Sequence, residues 1–153
     1  SGYDEAGHKL SEPTDFHIGA VVNPGSSDLA TEIRRMEEKA QAGARFFQTQ
    51  AIYEARSFVA FINSIHHLPV TIIAGVMPIK SVKMALYANK KIPGIHIPEW
   101  MIQRIANADD VKEVSIQLAA ELVSELVPLC GGVHLMAPGA EDRIPLILDR
   151  AMT

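Results

Sequence analysis

The amides of Gln48 and Gln50 are the side chains whose type and spacing most directly suggest ligand binding in this chain. They follow Phe46 and Phe47, and aromatic residues favour a pleated, half-buried strand. Because side chains alternate along a strand, two glutamines at this spacing face the same side of a sheet. In a barrel or an open α/β sheet, ligands bind at the carboxyl ends of the strands. The amides could equally satisfy the backbone of a neighbouring loop, and the residues alone leave both interpretations open.

Other polar residues follow the remaining predicted strands and are expected at the same rim. Asn23 comes after the first strand, Glu54 after the second, Lys80 after the third and the segment 136–141 after the fourth. No aspartate or glutamate falls near the ends of strands one, three or four. A pair of carboxylates for general acid and base catalysis is therefore not evident.

The histidines and the cysteine give no sign of a metal site or a nucleophile. His66 and His67 are adjacent, so they cannot both face one metal ion from a helix. His134 falls in the middle of a predicted strand, where we expect a buried histidine with its hydrogen bonds satisfied. Cys130 has no basic neighbour in sequence, so an inert buried thiol is expected.

The chain contains neither GxGxxG nor GxxxxGK[ST], so it offers no standard nucleotide-binding loop. The basic residues Arg34, Arg35 and Lys39 could meet a phosphate near a helix. A solvated helix face explains these charges as well, and the two interpretations stay open on the residues alone.

Composition restricts the class of protein. A chain of 153 residues is one domain in length, and its net charge of −4 with no basic cluster argues against nucleic acid or an anionic membrane surface. No apolar run is long enough to span a bilayer, and the polar first ten residues do not resemble a signal peptide. One cysteine excludes an internal disulfide and fits a reducing compartment, so the cytoplasm is expected.

The elements that position these residues alternate along the chain. Short apolar or aromatic runs predict strands at 16–22, 45–51, 69–75 and 132–136. Helical periodicity predicts helices at 29–42, 54–66, 81–89, 98–106, 111–129 and 142–152, and breakers indicate a loop or entering segment at 1–14. Ser27 or Asp28 is expected to cap the first helix, and Gly43 to end it in a left-handed conformation.

Strand followed by helix, four times over, predicts an α/β fold with a parallel sheet and right-handed crossovers. Four such units are half of a TIM (β/α)₈ barrel, which usually takes about 250 residues. The chain is therefore either a small open sheet, complete in itself, or one half of such a barrel.

Several segments resemble the methylenetetrahydrofolate reductase family, and their order and spacing agree from about Thr14 onward. The matching segments are 18–24, 39–44, 48–50 with Tyr53, 74–78, 93–100 and 131–134. The combination of K-x-x-A-G-A with T-Q and G-[IVL]-[ML]-P is fairly specific, whereas each piece by itself is weak. The amino-acid sequence of these segments is most similar to the form of the family found in anaerobes and archaea.

The resemblance implies a flavin-dependent barrel, of which residues 1–153 form the C-terminal half with strands five to eight. The family converts 5,10-methylenetetrahydrofolate to 5-methyltetrahydrofolate by hydride transfer through flavin. The implied cofactor is FAD, with FMN as the alternative, and the electron donor is a reduced nicotinamide or a ferredoxin-type protein. Implied partners are the folate substrate, the missing N-terminal half-barrel or a second copy of the chain, and an electron-donating subunit.

The resemblance also implies roles for individual residues. The residues expected to contact the substrate are Gln50, which would meet the pterin, and Gln48, Tyr87 and Met136. The residues expected to contact the flavin are Asn23, Glu32, Arg35 and Lys39. Arg35 replaces a more usual amide, Asn23 stands where relatives often have a tyrosine, and Met136 begins a loop that lacks the usual tyrosine and arginine.

No residue of this chain corresponds to the glutamate that acts as an acid in the family or to the aspartate near the flavin. Both residues belong to the first half-barrel. The chain by itself is therefore expected to be incomplete and inactive. The alternative is a non-catalytic folate- or flavin-binding or interaction module of the same fold.

Overall fold

Residues 2–153 are described by a computed structural model, in which four strands form one parallel sheet. The strands are β1 (Gly19–Val22), β2 (Phe46–Ala51), β3 (Thr71–Val76) and β4 (Gly132–Leu135). Their spatial order is the same as their order in the chain. Consecutive parallel strands joined by right-handed crossovers place every helix on one face, as in a (β/α)₈ barrel, whereas a doubly wound sheet reverses its strand order. The predicted α/β fold with parallel (β/α) units is confirmed.

Six α-helices within the described residues connect and follow the strands. They are α1 (Leu29–Gln41), α2 (Ala55–Ser64), α3 (Val82–Lys91), α4 (Glu99–Ala106), α5 (Val111–Leu126) and α6 (Ile144–Ala151). The predicted cap is present, since the Asp28 carboxylate accepts the Thr31 N–H at 3.0 Å. Gly43 has a φ of 113°, so it ends α1 in the conformation expected for glycine. Within residues 2–153, no helix is both long and apolar enough to cross a membrane.

The main core lies on the helix-bearing face of the sheet. Phe47 of β2 is fully buried there, against Met36 of α1 and Phe58 and Phe61 of α2. Side chains in β2 alternate strictly, with Phe47, Thr49 and Ala51 buried and the residues between them half-buried. The half-buried side chains face the opposite, open side of the sheet, which corresponds to the interior of a barrel.

A second core cluster supports the region after β3. Ile97, Met101 and Ile105 pack there with Ala85 and Ala88 of α3. This cluster holds the long connection between β3 and α5 against the end of β2, through Ala51 and Tyr53. The residues of this long connection between the third and fourth strands thus form a second layer beside the carboxyl rim.

Side chains of α1 cover the edge of β1 that faces away from β2. Lys39 Nζ donates to the carbonyl oxygen of Val21 at 2.8 Å, and Glu32 Oε1 accepts the Asn23 N–H at 2.9 Å. Val21 and Asn23 have the same parity along the strand, so their backbone groups point to one edge. Ile18, of opposite parity, accepts a bond from the segment that enters β2. An open strand edge can pair with other chains, and these two side chains satisfy some of its backbone N–H and C=O groups.

Several predicted boundaries were wrong. The first strand begins at Gly19 instead of residue 16, and Phe16 is 77% exposed. The fifth helix gives way to a 3₁₀ turn over Val127–Leu129, because Pro128 lacks the N–H that an α-helix needs. Of the segment 1–14, Ser1 lies outside the described residues. Residues 2–14 carry turns and one isolated antiparallel bridge, between Tyr3 and Lys9.

Candidate functional site

A cavity of about 300 Å³ opens at the carboxyl rim of the sheet. Its size is at the lower end of the range for small-molecule pockets. Its walls come from the ends of β1 and β2, from α1 and from the residue after β4. The lining residues are Val21, Val22, Asn23, Glu32, Gln48, Thr49, Gln50 and Met136. Five residues predicted as ligand contacts are therefore together in one cavity.

The two glutamines are half-buried on the open face of the sheet, as their spacing predicts. Gln50 Oε1 accepts the N–H of Ala51 at 3.2 Å. Its amide nitrogen has no hydrogen-bond partner within residues 2–153. Gln50 can therefore offer two N–H donors to a ligand in the cavity without breaking an existing bond.

A β-bulge at the end of β2 sets the position of Gln50. The pairing with β3 steps from Gln48 opposite Ile73 to Ala51 opposite Gly75, so β2 has one more residue than its partner. The hydroxyl of Thr49 bridges the irregularity, since it accepts the Gly75 N–H at 2.9 Å and donates to the Gln50 carbonyl at 2.8 Å. Bulges are common beside active sites, where they redirect a side chain.

Gly75 is required by the same close approach. A Cβ on Gly75 would lie 2.6 Å from the backbone oxygen of Thr49 and 2.8 Å from Cε of Met136. No residue with a side chain fits without movement of the backbone or of Met136. The G-[IVL]-[ML]-P segment thus has a steric reason for its glycine.

His134 lies on the open face of the sheet and is exposed, so the prediction of a buried core histidine was wrong. Strand parity explains the difference, because Val133 and Leu135 on β4 are the residues that pack on the helix side. Its Nδ1 is in contact with the amide nitrogen of Gln48. Gln48 is the only one of the predicted substrate contacts, among the described residues, that is bonded to another polar side chain.

Asn23 joins the first loop to the connection between α3 and α4. Its amide nitrogen donates to the Pro93 carbonyl at 3.3 Å, and its amide oxygen accepts the Gly25 N–H at 3.2 Å. Gly94 has a φ of 78°, and a Cβ there would lie 2.1 Å from the Asn23 amide nitrogen. Asn23 therefore has a structural role in the cavity wall, whatever ligand it contacts.

The other predicted flavin contacts lie on α1. Glu32 is largely buried and bonded to the backbone of Asn23, and Lys39 is bonded to that of Val21. Arg35 has 63% of its side chain exposed, and its guanidinium is 3.9 Å from Glu32. Arg35 is therefore the cation of this group that is most accessible to an anionic ligand.

Two further predicted residues differ in their placement. Met136 is half-buried in the cavity wall, and its backbone N–H bonds to the Val76 carbonyl at 2.8 Å. Tyr87 is 62% exposed on α3 and does not line the cavity. At the same rim, Lys80 Nζ donates to the Pro138 carbonyl, and Glu141 accepts the Gly139 N–H at 2.8 Å. These bonds restrain the loop after β4.

Two other titratable side chains, those of Cys130 and Tyr53, lie outside the cavity. Cys130 is half-buried, with its thiol near the carbonyls of Leu126 and Gly132. The hydroxyl of Tyr53 is buried and has no hydrogen-bond partner in the described chain. Burial raises the pKa of Tyr53 well above its usual range, because the phenolate would be desolvated. No group of three or more histidine, cysteine, aspartate or glutamate residues within 2–153 is arranged to hold a metal ion.

A parallel (β/α) sheet with an amide-lined cavity at its carboxyl rim defines an α/β protein whose candidate ligand site lies at that rim. A family model described as methylenetetrahydrofolate reductase matches residues 15–152. The chain therefore belongs to the methylenetetrahydrofolate reductase family. The resemblance inferred from the sequence segments is confirmed.

Curated relatives carry the same name and are longer. Methylenetetrahydrofolate reductase 2 of Schizosaccharomyces pombe is 27% identical over 151 residues, with 88% of this chain and 23% of that protein covered. The 5,10-methylenetetrahydrofolate reductase of Buchnera aphidicola subsp. Schizaphis graminum is 24% identical, with 77% and 42% covered. A probable methylenetetrahydrofolate reductase (NADH) of Oryza sativa is 29% identical, with 83% and 21% covered. The chain thus spans less than half the length of these relatives.

A solved structure shares the fold. It is an uncharacterized protein from Clostridium thermocellum, described as binding two copies of 5-methyl-5,6,7,8-tetrahydrofolic acid. The TM-score is 0.66 at 23% sequence identity, and the match covers 90% of this chain and 52% of that one.

Proposed function

We propose that this chain forms the C-terminal half of a flavin-dependent methylenetetrahydrofolate reductase and provides the folate-facing side of its active site. The reaction would reduce 5,10-methylenetetrahydrofolate to 5-methyltetrahydrofolate. The observation that carries the proposal is the cavity at the carboxyl rim, where Gln50 presents an unpaired amide nitrogen in a chain of this family.

Gln50 would bind and orient the pterin ring. A pterin edge carries ring nitrogens and a carbonyl, which accept hydrogen bonds from an amide N–H. The Thr49 hydroxyl donates to the Gln50 carbonyl and accepts the Gly75 N–H of β3, so it ties the Gln50 backbone to the neighbouring strand before the ligand arrives. Such preorganisation lowers the cost of binding and places the reacting carbon reproducibly.

The donor set on α1 and the first loop fits a flavin nucleotide. Arg35 is a largely exposed cation suited to a phosphate, and the amide of Asn23 suits a hydroxyl or a ring amide. Lys39 and Glu32 are bonded to the β1 edge, so their part would be to hold that edge in place beneath the cofactor. When bound, a flavin supplies the redox chemistry by exchanging a hydride equivalent with its donor and acceptor.

The residues of this chain would therefore bind and orient the folate and the flavin and would exclude water. Proton donation to the folate would come from the glutamate of the other half-barrel. Closure by further strands is compatible with the open face of the sheet, with the outer edge of β4 and with the part of the β1 edge that Lys39 and Glu32 do not bond. The electron donor, a reduced nicotinamide or a ferredoxin-type protein, belongs to the proposal as an expectation from the family.

The test uses the natural polypeptide that carries residues 1–153. Its visible absorbance reports bound flavin, and mass spectrometry follows conversion of methylenetetrahydrofolate with a reduced nicotinamide or reduced ferredoxin. We expect Gln50→Ala to weaken folate affinity about two- to tenfold, as for loss of one neutral hydrogen bond. Gln117→Ala, an exposed position on α5, is the matched control. A Gln50→Ala protein that matches this control would contradict the role of Gln50.

The isolated 153-residue chain, supplied with FAD and a reduced donor, is expected to show no turnover. Full turnover by this chain would refute the half-barrel assignment. Absence of both flavin and turnover in the natural polypeptide, with folate binding retained, would favour a non-catalytic folate-binding module. That second candidate is favoured by the Clostridium thermocellum protein, which shares the fold and is described by its bound 5-methyltetrahydrofolic acid.

A further inference from the structure

Gln48 and His134 meet across a strand that lies between them. Gln48 is on β2 and His134 on β4, and both side chains stand on the open face of the sheet. Adjacent strands are about 4.8 Å apart, so the two backbones are separated by about 10 Å. An amide and an imidazole can span that distance only if no large side chain of the strand between them stands in the way.

Gly75 provides this gap. It is the register partner of His134 on β3, whereas Gln48 is the register partner of Ile73, two residues earlier. The contact therefore runs obliquely over β3, and on the His134 side it passes a residue that has no side chain. The same glycine is required by the backbone oxygen of Thr49, 2.6 Å from where a Cβ would be. The bulge that positions Gln50 and the contact between Gln48 and His134 thus depend on one glycine.

The contact determines which imidazole nitrogen carries the proton. With the amide nitrogen of Gln48 placed against Nδ1, the amide donates and Nδ1 accepts. A neutral imidazole in that arrangement has its proton on Nε2. Since His134 is exposed, the Nε2–H is free to donate on the open face of the sheet.

We propose that His134 is a ligand-contacting residue of this site and that Gln48 is its positioning residue. His134 would donate from Nε2 to an acceptor atom on the pterin ring of a reduced folate, while Gln48 holds the tautomer and the ring orientation. The inference rests on the proposed function, because Gln50, two residues along the same face, is the side chain assigned to the pterin. It adds a second donor, from a residue whose mid-strand position predicts burial in the core.

The experiment measures 5-methyltetrahydrofolate affinity by calorimetry in the natural polypeptide that carries this chain. We expect His134→Ala to bind about two- to tenfold more weakly than wild type. His134→Gln, which keeps an amide N–H near the position of Nε2, should recover part of the loss. His66→Ala is the control, since His66 is exposed just after α2 and, within residues 2–153, its side chain bonds only to the Asn63 carbonyl.

Gln48 is tested as a positioning residue in two ways. Gln48→Leu should weaken binding in the wild-type background and have no further effect in His134→Ala, because it acts through the histidine. In ¹⁵N spectra of the ligand-free protein, the Nε2–H tautomer of His134 should predominate in wild type and mix with the other tautomer in Gln48→Leu.

The outcomes separate this inference from the proposed function. Failure of the wild-type protein to bind 5-methyltetrahydrofolate overturns the proposed function, and this inference falls with it. Wild-type binding together with equal affinities for His134→Ala and His66→Ala overturns the inference alone. Additive losses in the double variant would show that Gln48 contacts the ligand itself, and would overturn its role as a positioning residue.

Discussion

Replacing Tyr53 by phenylalanine is expected to stabilise the protein. The Tyr53 side chain is 5% exposed, and its hydroxyl has no hydrogen-bond partner in the described residues. A hydroxyl buried without a partner loses its hydrogen bonds to water and gains none in return. Phenylalanine keeps the ring and its packing in the second core cluster, and removes only the group that is penalised.

The magnitude follows from two opposing contributions. Burial of an unsatisfied hydroxyl costs about 1–3 kcal/mol. The space left by the oxygen adds to an apolar-walled cavity of about 10 Å³ beside Tyr53. At about 24 cal/mol per Å³, even doubling that space costs only about 0.2 kcal/mol. We therefore expect Tyr53→Phe to raise the free energy of unfolding by about 1–3 kcal/mol at neutral pH.

The difference should grow in alkaline solution. Burial raises the pKa of Tyr53, so above pH about 10 the residue ionises in the unfolded chain but stays protonated in the folded one. The unfolded state then binds fewer protons, and stability falls with pH by up to about 1.4 kcal/mol per unit. The wild-type protein therefore has its full stability below the unfolded pKa of Tyr53 and loses stability as the pH rises toward the folded pKa. Phenylalanine does not ionise, so Tyr53→Phe abolishes this loss and its advantage over the wild type widens.

Urea unfolding followed by circular dichroism, at pH 7 and again between pH 10 and 11, measures both effects. Tyr3→Phe is the matched control, because the Tyr3 ring is exposed. The reasoning would be refuted if Tyr53→Phe were less stable than wild type by about 1 kcal/mol or more at pH 7. That margin is the net contribution of one hydrogen bond to stability. That result would show that the hydroxyl has a partner in solution.

Three further predictions concern the elements around the cavity. Gly75→Ala should destabilise by about 1–3 kcal/mol through the clash with the Thr49 backbone, whereas Gly132→Ala, with nothing within 4 Å of its Cβ, should change stability little; urea unfolding of both tests this. Thr49→Val should cost about 1–3 kcal/mol by leaving the Gly75 N–H unpaired, and Thr49→Ser should recover most of it in the same assay. The N–H of Thr31 lowers the pKa of Asp28, so the stabilisation from this cap is present above the usual aspartate pKa and is lost in more acidic solution. Asp28→Asn should therefore flatten the fall in melting temperature between pH 5 and 3. An unchanged slope would contradict the role of the cap.

Local patterns predicted the elements that depend on local chemistry. Asp28 caps α1, and Gly43 ends it, because both effects act within a few residues of backbone. The apolar runs located all four strands, and the alternation of strand and helix gave the parallel order. Errors fell at the ends of elements, as at Phe16, where pairing with a neighbouring strand and not residue type decides where a strand begins.

The sequence by itself determined the parallel α/β fold, the family and the side of β2 that carries Gln48 and Gln50, since strand parity and turn chemistry are local. Only the tertiary structure decided that His134 stands on the same open face, in contact with Gln48. It also decided that Gly75 must lack a side chain for the bulge to form. These facts depend on the register between strands distant in sequence, which no local pattern encodes.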